Sequence, residues 1–178
     1  MKFKALVLAA SCSVAFSAVS AAPVVEFKGE VIDQTCKSSI NSQTDSTVML
    51  AEVSASALQT PGATSTITPF TVKVEDCAID TADLEIGTTF LGYNVTENGN
   101  LGNQETGDNA ATGVSIQITQ NSDGTNPVTL NGPTTVSGLV LPAGQTSATY
   151  EFGAQYYAEA PATAGTVKAV AEYALSYN

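Results

Sequence analysis

The chain of 178 residues contains no histidine, no tryptophan and no arginine. Without histidine there is no side chain whose ordinary pKa suits general acid–base work near neutral pH, and the commonest zinc ligand is missing. No serine or cysteine nucleophile motif stands in its place. Carboxylates gather at Asp80, Asp83 and Glu85, but without the ligand spacing and central glycine of an EF-hand calcium loop, so this stretch reads as a solvated turn. Many other carboxylates exist, yet nothing singles out two of them as a glycosidase acid and base. The chain is therefore expected to be no enzyme and to need no cofactor and no metal. The lack of tryptophan also counts against a sugar-binding surface built on aromatic faces.

Positive charge is scarce. Six lysines face 17 carboxylates, a formal net charge of −11. This excludes a nucleic-acid partner held through phosphates and disfavours anionic lipid. The acidity suits solubility and mutual repulsion between molecules.

Only one apolar run is notable, and it is too short and too rich in alanine and serine to span a bilayer well. Lys2 and Lys4 precede the apolar stretch 5–16, and small residues follow at 17–22. This is the pattern of a secretory signal peptide, with cleavage expected after Ala21. Beyond it remain four lysines against the 17 carboxylates, a formal charge of −13. No later segment is apolar enough for membrane insertion. Of three cysteines, Cys12 leaves with the signal peptide; Cys36 and Cys77 remain. An even pair in an exported chain reads as a disulfide.

What the sequence has is alternation. Val25, Phe27, Gly29 and Val31 fall on one side of the stretch 24–33, with Glu26, Lys28 and Glu30 on the other. Phe70, Val72 and Val74 alternate with Thr71, Lys73 and Glu75 in 67–77. Further strands are expected at 84–95, 114–120, 128–130, 134–141, 147–157 and 166–177, rich in the β-branched and aromatic residues that half-buried pleated surfaces favour. Turn signals separate them at Asn98-Gly99, Asp123-Gly124, Asn131-Gly132-Pro133 and Pro142-Ala143-Gly144. The polar stretch 99–113 is expected to be a surface loop. One short helix is expected at 50–58, from Val53 and Ala57 four apart and a stop at Pro61-Gly62. Many short strands spaced by turns predict an all-β sandwich of the immunoglobulin kind.

The order of motifs resembles that of chaperone–usher fimbrial subunits of the type 1 pilus kind, over nearly the whole chain beyond the signal peptide. Phe27-Lys28-Gly29-Glu30-Val31 leads to the first cysteine, Cys36, and Pro69-Phe70-Thr71-Val72 leads to the second, Cys77. Phe152-Gly153-Ala154-Gln155-Tyr156-Tyr157 resembles the penultimate strand of such subunits. Gly165 stands thirteen residues before the end and Tyr177 one. The chain departs from the family in its short arm before Cys36 and in Pro23, which removes a backbone donor.

The resemblance implies an incomplete immunoglobulin-like sandwich, the pilin fold, lacking its last strand and completed in trans by donor-strand exchange. It implies residues 1–21 as signal peptide, 22–35 as the donor arm and 36–178 as the pilin domain. Val25, Phe27, Gly29 and Val31 would be the donated face. Gly165, Val167, Ala169, Ala171, Tyr173, Leu175 and Tyr177 would form the acceptor and chaperone-binding edge. A slip of one residue would bury Glu26, Lys28 and Glu30, so the register would be well specified. Implied partners are neighbouring copies of the same chain in a head-to-tail polymer, a periplasmic pilus chaperone and an outer-membrane usher. The implied location is a fimbria on a Gram-negative cell surface, reached through the periplasm. A shaft subunit serving cell adhesion is the main expectation. A minor or adaptor subunit, or a self-contained secreted carbohydrate-binding module, is the alternative.

Overall fold

The structure, a computed structural model, describes residues 36–43 and 47–177. These residues lie within one unit, Asp33–Asn178. Among the described residues eight strands form two sheets: β1 Lys37–Ile40, β2 Thr64–Glu75, β3 Leu84–Gly92, β4 Leu101–Gly102, β5 Val114–Thr119, β6 Thr134–Leu141, β7 Ala148–Ala158 and β8 Ala171–Tyr177. The larger sheet runs β1-β2-β7-β5-β4 and the smaller β6-β3-β8. All named strand pairs are antiparallel. The expected sandwich is what forms.

Alternation sets which faces meet. Phe70, Val72 and Val74 on β2 are buried, while Thr71, Lys73 and Glu75 between them are half-exposed. Phe70 stands opposite Phe152 of β7 in the register, and their rings stack at 5.5 Å. Phe90, from β3 in the other sheet, meets Phe152 edge-on at 5.2 Å. These three rings bridge the sheets, each pair worth about 1 kcal/mol beyond its buried area. Ile86, Val136, Leu139 and Leu141 complete the smaller sheet's share of the core.

Where β3 meets β6 the register slips between Ile86 and Thr88. Gly138 lies in this bulge at φ +127°, and a Cβ there would stand 2.7 Å from the Tyr150 ring. The bulge needs a residue without a side chain.

Cys36 and Cys77 are joined as a disulfide across 41 residues, tying the start of β1 to the end of β2. Closing a loop of that size stabilises the fold by about 4 kcal/mol in the chain-entropy picture.

Several expectations need correction. The stretch 50–58 is no α-helix; a single 3-10 turn, Ala55–Leu58, forms with Ser54 as its cap. Ser54 and Ser56 favour caps over helix interiors. The stretch 99–113 is not wholly surface: Asn100, Leu101 and Gly102 are buried, and β4 pairs with β5. Val128 and Leu130 are buried but belong to no named strand. β1 was not anticipated as a strand of its own. The last strand starts at Ala171, five residues later than alternation alone suggests.

Candidate functional site

The two sheets differ in width. Five strands span about 19 Å between outer axes and three about 10 Å, at the usual strand spacing. The smaller sheet therefore cannot cover the larger one's inner face. Its last strand, β8, pairs with β3 on one side. On the other side no strand follows among the described residues.

An open groove of about 450 Å3 lies there. Its floor is the inner face of the larger sheet: Phe70, Leu101, Ile116, Ile118 and Ala154, with Phe90 from β3. Alternation in β5 points Ile116 and Ile118 inward and leaves Ser115, Gln117 and Thr119 for the opposite face. Residues 167–171 and Tyr173 form one wall, and Thr47, Val48, Met49 and Leu50 the other.

Of the expected edge residues, Val167, Ala169, Ala171 and Tyr173 line the groove, whereas Gly165, Leu175 and Tyr177 do not. Val167, Ala169, Ala171, Tyr173, Leu175 and Tyr177 all pack against the main core, yet each is only partly buried. The matching core positions on β2 and β7, such as Val72 and Phe152, are almost fully buried. Among the described residues no further strand lies beside β8 to complete their burial. Val167 and Ala169 precede the strand. Their stretch is held differently, with the Lys168 carbonyl accepting from the Gln104 N–H at 2.8 Å and the Lys168 N–H donating to Asn103 Oδ1 at 2.9 Å.

Gly165 has a separate reason for being glycine. A Cβ there would lie 2.4–2.6 Å from Ala111 N, Ala110 C and Asn109 O, all backbone atoms. The chain crosses there too closely for any side chain. A smaller hollow of about 280 Å3 sits beside Gly165, over Leu58, Ala111, Val114 and Ala162; Tyr156 and Val167 line both it and the groove. Burial, with the Glu52 charge second, pushes the Tyr156 hydroxyl pKa up.

The far wall was not foreseen. Residues 47–53 make no backbone hydrogen bond among the described residues. Val48 and Leu50 pack on the main core and Val53 on the smaller cluster, while Met49 is exposed. Among the described residues, 47–53 on one wall and Val167 and Ala169 on the other thus leave backbone donors and acceptors unpaired above an apolar floor, while Lys168 between them is bonded. Such edges seek a partner strand.

One polar cluster holds the floor in place. Glu159 accepts hydrogen bonds from Ser115 (2.6 Å), Thr96 (2.8 Å), Asn98 (2.5 Å) and Asn100 (3.1 Å). Burial pushes its carboxyl pKa up, but these four donors outweigh burial and hold it below the usual range. The cluster ties residues 96–100 to β5 and to Glu159 just past the end of β7, next to Leu101 of the groove floor.

Val25, Phe27, Gly29 and Val31, and the stretches 1–21 and 22–35, lie outside the described residues.

The family profile described as Fimbrial protein matches residues 25–178. The chain belongs to the fimbrial protein family. It is 34% identical over 171 residues to the Long polar fimbria protein A of Salmonella typhimurium, covering 96% of this chain and 92% of that one. It is 31% identical over 175 residues to the Type-1 fimbrial protein, A chain, of Escherichia coli, covering 97% and 93%. In fold it resembles the P pilus rod subunit PapA at a TM-score of 0.58, with 20% identity over 80% of this chain and 99% of that one. The fimbrial fold is thus an immunoglobulin-like sandwich of the pilin kind. The family is one of structural subunits.

Proposed function

We propose that this fimbrial subunit polymerises head to tail by donor-strand exchange into the shaft of a bacterial surface fibre that serves adhesion. Each copy's arm, 22–35, lies as an added strand in the groove of the next. The observation that carries this reading is the groove itself: an apolar floor between two walls that each present backbone groups without partners among the described residues. An extended chain entering there pairs its backbone on both sides and places alternate side chains on the floor.

Lengths agree. From Val167 to Tyr173 is six residue steps, and from Val25 to Val31 is six, each about 20 Å when extended. Val25, Phe27 and Val31 supply the apolar face, and Gly29 permits close approach. Glu26, Lys28 and Glu30 then face outward. A head-to-tail contact of this kind does not close on itself, so it yields a fibre.

An uncovered groove is an aggregation hazard. A periplasmic chaperone fills it before assembly, and an outer-membrane usher exchanges the chaperone for the next subunit's arm. Residues 1–21 direct export and are removed. The finished fibre stands on the cell surface, and the chain carries out no catalysis. Deleting residues 22–31 tests the reading: polymers are lost while chaperone capture persists. A variant that still polymerises, or an intact chain that stays monomeric and binds glycans, contradicts it.

A further inference from the structure

The sequence holds two Asn-Gly steps, Asn98-Gly99 and Asn131-Gly132, and one Asp-Gly step, Asp123-Gly124. A following glycine leaves the backbone nitrogen sterically open to the preceding side chain. The fold treats the three steps differently. The Asn98 amide donates to Glu159 Oε2 at 2.5 Å, and the Gly99 N–H donates to the Thr96 carbonyl at 3.0 Å. Asp123 Oδ1 accepts from the Thr125 N–H and hydroxyl at 2.9 and 2.7 Å, and the Gly124 N–H is held by the Asn121 carbonyl at 3.3 Å. Asn131 is exposed. Neither its side chain nor the Gly132 N–H makes a hydrogen bond among the described residues. Nothing stands within 4 Å of the place a Gly132 side chain would take.

We propose that Asn131 is a site of spontaneous deamidation, and that the fold protects Asn98 from the same reaction. The Gly132 backbone nitrogen, giving its proton to hydroxide, attacks Asn131 Cγ. A nitrogen–Cγ bond forms, the Cγ–Nδ2 bond breaks, and ammonia leaves after taking a proton from water. Water then opens the five-membered imide at either carbonyl, giving aspartate or isoaspartate. No oxidant or reductant is needed. At Asn98 the nucleophile and the amide are both engaged, and the product carboxylate would face the Glu159 carboxylate, a like-charge pair.

The modified turn joins buried Leu130 to β6, whose first residue, Thr134, donates its hydroxyl to the Gly132 carbonyl at 3.2 Å. Isoaspartate lengthens that turn by one backbone carbon and adds a charge. β6 is the edge of the smaller sheet opposite β8. The change therefore marks the surface of an ageing subunit and leaves the groove intact.

The test is peptide mass spectrometry of the folded full-length chain, incubated in mildly alkaline buffer prepared with heavy-oxygen water. The Asn131 peptide is expected to take up label about tenfold faster than the Asn98 peptide, a barrier difference of about 1.4 kcal/mol. In concentrated urea the two rates converge, because only the fold distinguishes them. Equal rates in the folded chain, faster labelling at Asn98, or no labelling at Asn131 would overturn the proposal.

Discussion

The Tyr173 hydroxyl donates to Ser38 Oγ at 3.2 Å, joining β8, the edge of one sheet, to β1, the edge of the other. Tyr173 also lines the groove. The bond pins one end of the groove's wall and leaves the stretch back to Val167 open. Tyr173→Phe keeps the ring and removes the bond. It should cost about 1 kcal/mol, read as a lower denaturant midpoint with unchanged slope.

Gly165 marks the other end. Gly165→Val places a side chain against three backbone atoms that cannot turn aside. The expected loss is about 1–3 kcal/mol, the scale of overpacking. Chemical denaturation measures it, and a milder loss for Gly165→Ala than for valine is expected because fewer atoms must be fitted.

Glu159 gives a pH signature. Its folded-state pKa lies below the ordinary carboxylate value, so the folded chain binds the proton less readily than the unfolded one. Its contribution is complete above the unfolded pKa and is lost as pH falls through the folded pKa. Glu159→Gln should therefore lose about 2 kcal/mol at neutral pH, the scale of hydrogen bonds to a charged group. The gap between variant and parent should close as the solution is acidified through the carboxylate range. Melting curves across that range check both the size and the sign.

Phe27→Asp addresses the proposed arm. Buried on the groove floor without a partner, a carboxylate costs several kcal/mol. Detergent-resistant polymers should disappear in gel analysis of the variant, while the folded domain's melting temperature stays unchanged.

Much of this was legible in the sequence because strands with one buried face write their pattern at a period of two. Phe70, Val72 and Val74 reveal β2 in that way, and the interval from Gly165 to Tyr177 points to one groove wall. The other wall was hidden. Val48 and Leu50 also alternate with exposed Thr47 and Met49, but the wider spacing of Val53 and Ala57 suggested a helix. Short apolar runs support either period, and tertiary context decides. Leu101 was hidden for a different reason. It sits among polar residues, and only pairing with Ile116 draws it inside. Single buried residues in a polar stretch carry no periodic signal. The polar cluster around Glu159 gathers residues from 96 to 159 in sequence, a long-range grouping that no local pattern announces.

The groove beside β8 is proposed to receive an arm strand. Hydrogen exchange of the subunit lacking residues 22–35, alone and with a peptide of residues 22–35 added, tests it most directly. Backbone amides in 47–53 and 167–173 are expected to become protected when the peptide is present. Unchanged exchange in both stretches, or protection confined to other parts of the fold, would contradict it.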